Sequence, residues 1–197
     1  MTTLTAPAER AYAGTLLAGT VPTPAGTMCL AVTPDGVVRA AGFGDLDLLL
    51  GRLSLAEPAV AAGAVQVRRV PTGELPTAVV DAVRRYAAGE AGALDVVPVT
   101  QPGGAFFQEV WRAMRRVPPG TTVTYTELAE MSGRPAAVRA AGTACARNLV
   151  APFVPCHRIV RSDGTLGGYA YGLDAKRALL DHERGAADER GVPETTG

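Results

Sequence analysis

Few residues in this 197-residue chain could do covalent chemistry. There are three cysteines (Cys29, Cys145, Cys156) and two histidines (His157, His182). One of each stands side by side in Val154-Pro155-Cys156-His157-Arg158-Ile159-Val160, and the second histidine precedes Glu183 in a stretch that reads as helix. A cysteine, a histidine and a carboxylate are the parts of an activated thiol: the thiolate is the nucleophile, the imidazole takes its proton and the carboxylate holds the imidazole. The apolar flanks Val154, Ile159 and Val160 place the segment inside, where a thiol ionises only if specific groups compensate the charge. In extended backbone, successive side chains point to opposite faces. A Cys156–His157 interaction therefore needs a turn at this point or a bridging water. A buried structural cysteine beside a histidine bonded to backbone is the competing reading, and the pair alone does not separate the two.

The elements that must position this segment are helical. Residues 105–117 place Phe106, Val110, Ala113, Met114 and Val117 on one stripe with Arg112, Arg115 and Arg116 outside it, and Pro118-Pro119-Gly120 ends the run. Thr124 and Glu127 have capping-box spacing ahead of Leu128, Ala129 and Met131. After the turn Ser132-Gly133-Arg134-Pro135, a third helix is expected over residues 136–147. Two short helices joined by a tight glycine-containing turn form a helix-turn-helix pattern. The second of them is made almost wholly of small residues, including Ala136, Ala137, Ala140, Ala141, Gly142 and Ala144, with Arg139 its main long side chain. Such a helix packs closely on neighbouring helices or approaches a narrow groove. It would read base edges poorly, and minor-groove contact is the physical option open to it.

The first half reads differently. Strands and turns are expected from Tyr12 to Ala41, with a hairpin at Pro34-Asp35-Gly36. Residues 45–55 and 57–64 fit helix or loop, and 65–70 fit a strand. Residues 76–88 form an amphipathic helix through Val79, Val80, Val83 and Tyr86, and 94–99 fit another strand. Residues 1–11 read as a loose end. Thr100-Gln101-Pro102-Gly103-Gly104 is the best linker, which divides the chain into an N-terminal domain (1–99), a linker (100–104), a C-terminal domain (105–185) and a disordered tail (186–197). The composition, 47% hydrophobic and 19% charged, fits a soluble globular protein. No long apolar run predicts a membrane span, and the first residues lack a secretory-signal pattern. The odd cysteine count and absent framework spacing fit free thiols in a reducing cytoplasm, and two histidines without a CxxC pair make a zinc site unexpected. Net charge is zero but uneven: residues 1–102 carry seven arginines against nine acids, whereas 103–185 carry eleven basic residues against seven acids. This basic bias is too modest to argue for nucleic acid alone.

Taken in order, FFQEVWRAMRRVPPGTTVTYTELAE, GRPAAVRAAGTACARN and VPCHRIVRSDGTLGGYAYGLDAKRALLDHE resemble the O6-alkylguanine-DNA alkyltransferase family, also called methylated-DNA–protein-cysteine methyltransferases. The likeness spans roughly residues 103–183. It implies an α+β chain: an N-terminal ribonuclease-H-like α/β domain, then a mostly helical C-terminal domain with a helix-turn-helix of winged-helix type. It further implies irreversible, stoichiometric transfer of an alkyl group from O6 of guanine in duplex DNA to Cys156 after the damaged nucleotide is flipped out, with O4 of thymine an open second target. No metal or cofactor is implied. The partner would be double-stranded DNA met through its minor groove by a cytoplasmic monomer.

Residue by residue, the resemblance makes Cys156 the acceptor, His157 a base acting through water, Glu183 the carboxylate orienting it and Asn148 an organiser of the site. Tyr125 would donate to the flipped base, and Lys176 would either help neutralise the departing guanine or stand as an ordinary solvated lysine. Arg139 would enter the base stack, with Ala137, Ala140, Gly142 and Thr126 on the DNA-facing surface. Val154, Pro155, Gly167, Gly168 and Tyr169 would wall the base pocket, while His182 would be ordinary helix surface. Two places depart from the family pattern. Leu149 follows the asparagine where proline is usual, and Ala170-Tyr171 stand where smaller or hydroxylic residues are common. Tyr171 is expected to narrow the pocket against bulky adducts, and Cys145 to fill a small site on the DNA-facing helix.

Three other functions compete. A non-catalytic module recognising alkylated DNA would not need Cys156. A multi-turnover thiol hydrolase gives no reason for the helix-turn-helix. A methylation-sensing regulator needs a further DNA-binding domain and metal cysteines that this sequence does not contain.

Overall fold

The computed structural model describes residues 14–23 and 25–190. Three strands, β1 (Thr15–Thr23), β2 (Gly26–Val32) and β3 (Val38–Phe43), run antiparallel in succession. The Pro34-Asp35-Gly36 turn joins β2 to β3, and Gly36 takes a φ of +90° that a side chain would disfavour. Asp45 then caps α1 (Leu46–Ala56) by accepting from the amides of Asp47 and Leu48, so the segment left open between helix and loop is a helix. A single turn, α2 (Pro58–Ala61), returns the chain to β4 (Gln66–Arg69), which lies parallel to β1. The sheet order is β3-β2-β1-β4.

Because side chains alternate along a strand, the sheet has two apolar faces. One packs Leu16, Cys29, Ala31 and Ala40 against Leu49 and Leu53 of α1. The other packs Leu17, Leu30 and Val32 against Val79, Val80, Val83 and Tyr86 of α3 (Thr77–Ala87). That second cluster continues without a break into Trp111, Met114, Phe153 and Leu179, so the sheet and the C-terminal helices share one core.

Residues 94–99 are not the strand expected from their apolar run. They form successive turns (Val97 N–H to Leu94 O, Asp95 N–H to Gly92 O), and Val99 alone bridges to Val38. The carbonyls of Asp95 and Val97 are instead taken by the Arg115 guanidinium, which removes them from any ladder.

Helices α4 (Ala105–Met114), α5 (Tyr125–Met131) and α6 (Val138–Ala146) follow. The capping box is formed in full: Thr124 Oγ1 accepts from Glu127 N–H, and Glu127 Oε2 accepts from Thr124 N–H. Residues 135–137 make a 3-10 turn, so α6 proper begins later than its alanine run. Trp111 Nε1 donates to Ala144 O at 2.9 Å and clamps α4 to α6. A two-residue parallel ladder, β5 (Val123–Thr124) with β6 (Ile159–Val160), ties the segment after Cys156 to the start of α5. The last helix, α7 (Leu173–Arg190), buries Leu179, Leu180 and Glu183. It runs five residues into the segment expected as a tail; the rest of that segment and the expected loose end at 1–11 lie outside the described residues. No helix among the described residues is long and apolar enough to cross a membrane.

Candidate active site

Cys156 opens a 3-10 turn (Cys156–Arg158), so the segment is not extended and the two neighbouring side chains need not oppose each other. Asn148, at the C-terminal end of α6, reaches across the intervening loop. Its Nδ2 donates to Val154 O at 2.7 Å and to Cys156 Sγ at 3.2 Å. Burial pushes the Cys156 thiol up, while the Asn148 donor and the charges of Lys176 and Arg52 pull it back.

His157 is fully buried behind the thiol. Its Nε2 lies 2.8 Å from Glu183 Oε1. An ionised carboxylate only accepts, so Nε2 carries the proton and Nδ1 keeps a lone pair. Nδ1 has no hydrogen-bond partner among the described residues. Burial lowers the His157 pKa against the pull of Glu183, which favours the neutral imidazole.

Glu183 accepts five hydrogen bonds: from His157 Nε2, from Arg158 Nε and NH2 (both 2.9 Å), from Tyr86 Oη (3.2 Å) and from Gly120 N–H (3.2 Å). Burial works to raise its pKa, but the bonds from His157 and Arg158 and the guanidinium charge outweigh that and hold it far below the usual carboxylate range.

In front of the thiol opens a cavity of about 380 Å³ lined by Tyr125, Gly142, Cys145, Ala146, Asn148, Cys156, Gly168, Tyr169, Ala170 and Tyr171. Burial and the adjacent thiols raise the Tyr125 pKa, so its hydroxyl stays a donor. The Tyr125 ring lies against Gly142, and its hydroxyl against Gly167. The Tyr169 hydroxyl is buried without a hydrogen-bond partner among the described residues, and its ring meets His157 edge-on with centroids 6.4 Å apart. Tyr171 is held from the sheet: Arg52 NH1 donates to its hydroxyl at 2.8 Å, and that hydroxyl donates to Ala41 O at 3.2 Å. Its ring packs edge-on against Phe43 and lies over Gly42, where any β-carbon would collide with it.

Of the residues expected from sequence, Cys156, His157, Glu183 and Asn148 come together, and Tyr125, Gly142, Gly168 and Tyr169 line the same cavity. Val154 and Pro155 are buried beneath it rather than lining it; the Val154 carbonyl anchors Asn148. Gly167 supports Tyr125 from behind. Lys176 is neither solvated nor in the cavity wall. It is fully buried, donating to the carbonyls of Ile159 and Leu166, and burial lowers its pKa. It reaches the thiol through its charge.

Arg139 and Thr126 are exposed, Ala137 and Ala140 half-buried. The Arg139 guanidinium shows no ion pair or hydrogen bond to other described residues, and the Arg139 carbonyl accepts from Thr143 Oγ1 at 3.0 Å. His182 departs from the expected surface role: its Nε2 lies 2.6 Å from Tyr86 O, against the Tyr86 ring. No group of three metal-ligating side chains occurs among the described residues.

Residues 105–185 match a family profile described as the 6-O-methylguanine DNA methyltransferase DNA-binding domain. These residues are similar to that domain along its matched length. A methylated-DNA–protein-cysteine methyltransferase of Shigella flexneri is 42% identical over 108 residues, 55% of this chain and 63% of the relative. One of Mycobacterium tuberculosis is 43% identical over 108 residues, 55% of this chain and 65% of the relative. The match thus spans just under two thirds of the length of these curated relatives. The O6-methylguanine methyltransferase structure from M. tuberculosis superposes with a TM-score of 0.68 at 28% identity, covering 91% of this chain and 96% of that one. The same protein in complex with DNA gives 0.67 at 29% identity, covering 86% and 94%. The mixed α+β architecture is therefore that of these methyltransferase structures along most of the chain.

The sequence reading missed Arg52, Tyr86, Gln101 and the structural part played by Arg158. Arg158 stands within the motif itself and could have been named as the partner of a buried carboxylate. The others are brought in from 47 to 119 positions away, with no local pattern to announce them.

Proposed function

We propose that this chain repairs DNA by transferring an alkyl group from O6 of guanine to the Cys156 sulfur. The observation that carries the reading is a thiol at the floor of a base-sized cavity, bonded by Asn148 and backed by a neutral histidine whose proton faces Glu183. His157 Nδ1 takes the Cys156 proton through a bridging water, since the two side chains are not in direct hydrogen-bond contact. Sγ then attacks the alkyl carbon. The S–C bond forms as the C–O6 bond breaks, and the electron pair leaves with guanine. The Tyr125 hydroxyl donates to the departing base and meets its developing charge. The product is a thioether that no group in the cavity hydrolyses, so each molecule reacts once.

A base inside a duplex cannot reach this cavity, so the nucleotide must be extruded, at a cost of about a few kcal/mol. Arg139, exposed on a helix of small residues, takes the vacated place in the stack, and α6 approaches through the minor groove. The protein acts as a monomer, without metal or cofactor. The strand order supports the ribonuclease-H-like reading of the N-terminal half, and the helix pair with its small β5–β6 ladder supports a winged-helix-type C-terminal domain.

Intact-protein mass after incubation with an O6-methylguanine duplex tests the reading. One methyl per molecule, absent in Cys156→Ala, is expected. Tight binding of the damaged duplex without any mass change would favour a recognition module instead.

A further inference from the structure

Gln101 sits between the two halves and is 3% exposed, an unusual depth for a polar side chain in a connecting segment. Its partners fix its orientation. Leu149 N–H, itself buried, donates to Gln101 Oε1 at 2.7 Å, and a backbone amide can only donate. The Gln101 amide nitrogen is thereby turned toward Asn148, where it donates to Oδ1 at 3.0 Å. Val150 N–H donates to the same oxygen at 3.1 Å. With two donors on Oδ1, both protons of Asn148 Nδ2 face the other way, one to Val154 O and one to Cys156 Sγ.

The two ends of an asparagine amide are nearly the same shape, so its neighbours must decide which end faces the sulfur. The reversed amide would set an oxygen lone pair against the thiolate and against the Val154 carbonyl. Gln101 also meets a local need: residue 149 is a leucine, with an amide proton that must find an acceptor once buried.

We infer that Gln101 is a positioning residue for the acceptor thiol: it locks the Asn148 amide so that Nδ2–H is aimed at Cys156 Sγ, and it satisfies the Leu149 amide in the same step. The inference takes Cys156 as the acceptor from the proposed function, but the geometry concerns the thiol itself and is testable without DNA.

The test is the rate of Cys156 carbamidomethylation by iodoacetamide across the neutral to alkaline range, read by peptide mass so that Cys29 and Cys145 are scored separately. Gln101→Met keeps volume and removes both bonds. Gln101→Glu keeps an acceptor for Leu149 N–H but presents an acceptor to Asn148 Oδ1. Losing a hydrogen bond to an ionised group corresponds to about a tenfold change in thiolate fraction. Both variants should therefore react about tenfold more slowly at neutral pH, with the rate midpoint moved to higher pH. A profile overlaying that of the natural protein in a cooperatively melting Gln101→Met overturns the inference. Should that variant fail to fold, an unshifted profile in Gln101→Glu overturns it equally. Natural protein that shows the iodoacetamide behaviour but gains no methyl from O6-methylguanine DNA would sink the proposed function and leave the Gln101 assignment standing.

Discussion

The Tyr86 hydroxyl lies 3.2 Å from Glu183 Oε1, the same oxygen that accepts His157 Nε2–H. Helix α3 of the N-terminal half thus contributes to the buried network behind the thiol. Tyr86→Phe removes one of five donors and little volume. A hydrogen bond to a charged group is worth about 1.5–3 kcal/mol, so the urea midpoint should fall accordingly. The four remaining donors keep Glu183 ionised, so the single-turnover methyl-transfer rate should change little. An unchanged urea midpoint would count against the bond.

Removing the acceptor itself is a heavier loss. Arg158 is 3% exposed and is neutralised by Glu183, with Val117 O taking its NH1 at 2.6 Å. Glu183→Ala leaves that guanidinium buried without a counter-charge, a change that costs about 3–5 kcal/mol. It also frees the His157 tautomer. Denaturation should show the destabilisation, and methyl transfer should drop even at temperatures where the variant stays folded. A variant as stable as the natural protein would contradict the burial of this pair.

The histidine predicts a pH window. Burial lowers the folded-state pKa of His157 below its ordinary value, which is about 6.5 in an unfolded chain. Below about pH 6.5 the unfolded chain takes up a proton that the folded one refuses, so stability is full above that pH and declines as pH falls through it. Glu183 is lowered as well: held far below the usual carboxylate range, its contribution is full above its unfolded value of about 4.3 and is lost progressively as pH falls below that. The melting temperature should therefore decline already between about pH 6.5 and 5, before ordinary carboxylates titrate. His157→Gln should flatten that decline. An equal slope in the variant would assign the decline to other groups.

What the sequence made legible follows from range. The capping box of Thr124 and Glu127, the Gly36 turn and the amphipathic α3 are set by residues within a few positions of one another, and each forms as read. Cys156, His157, Asn148 and Glu183 were legible through residue chemistry and motif order. The 94–99 segment was misread because Leu94 and Val97 face the core from turns while Val96 stays exposed, and a distant arginine captures its carbonyls. Lys176 was left between pocket and solvent because nothing local marks two carbonyls as its partners. Gln101, Arg52 and Tyr86 were invisible for the same reason: each acts across the join between the halves.

Tyr171 lines the cavity and is fixed there by Arg52, Ala41 O and the absence of a side chain at Gly42. A ring so held cannot swing aside for a large adduct. Tyr171→Gly should accelerate reaction with O6-benzylguanine at least about tenfold, the effect of about 1.4 kcal/mol less steric cost, while changing O6-methylguanine repair far less. Competition between the two substrates, followed by mass, reads the ratio. Efficient benzyl transfer by the natural protein would remove this role from Tyr171.

Alkylation should weaken the fold through Asn148. Before reaction the sulfur accepts Nδ2–H at 3.2 Å, alongside Val154 O. A thioether is only a weak acceptor, so the methylated form leaves a buried donor underused, at a cost of about 1–3 kcal/mol. A methyl group enters the open cavity without forced repacking, so the loss comes from the bond and should be similar for methyl and ethyl. Larger groups must also crowd against Tyr125 and Tyr171 and should add overpacking strain of about 1–3 kcal/mol. Melting temperatures of the unmodified, methylated and benzylated proteins should fall in that order. A methylated protein melting at or above the unmodified one would show that the Asn148 bond contributes nothing to the resting fold.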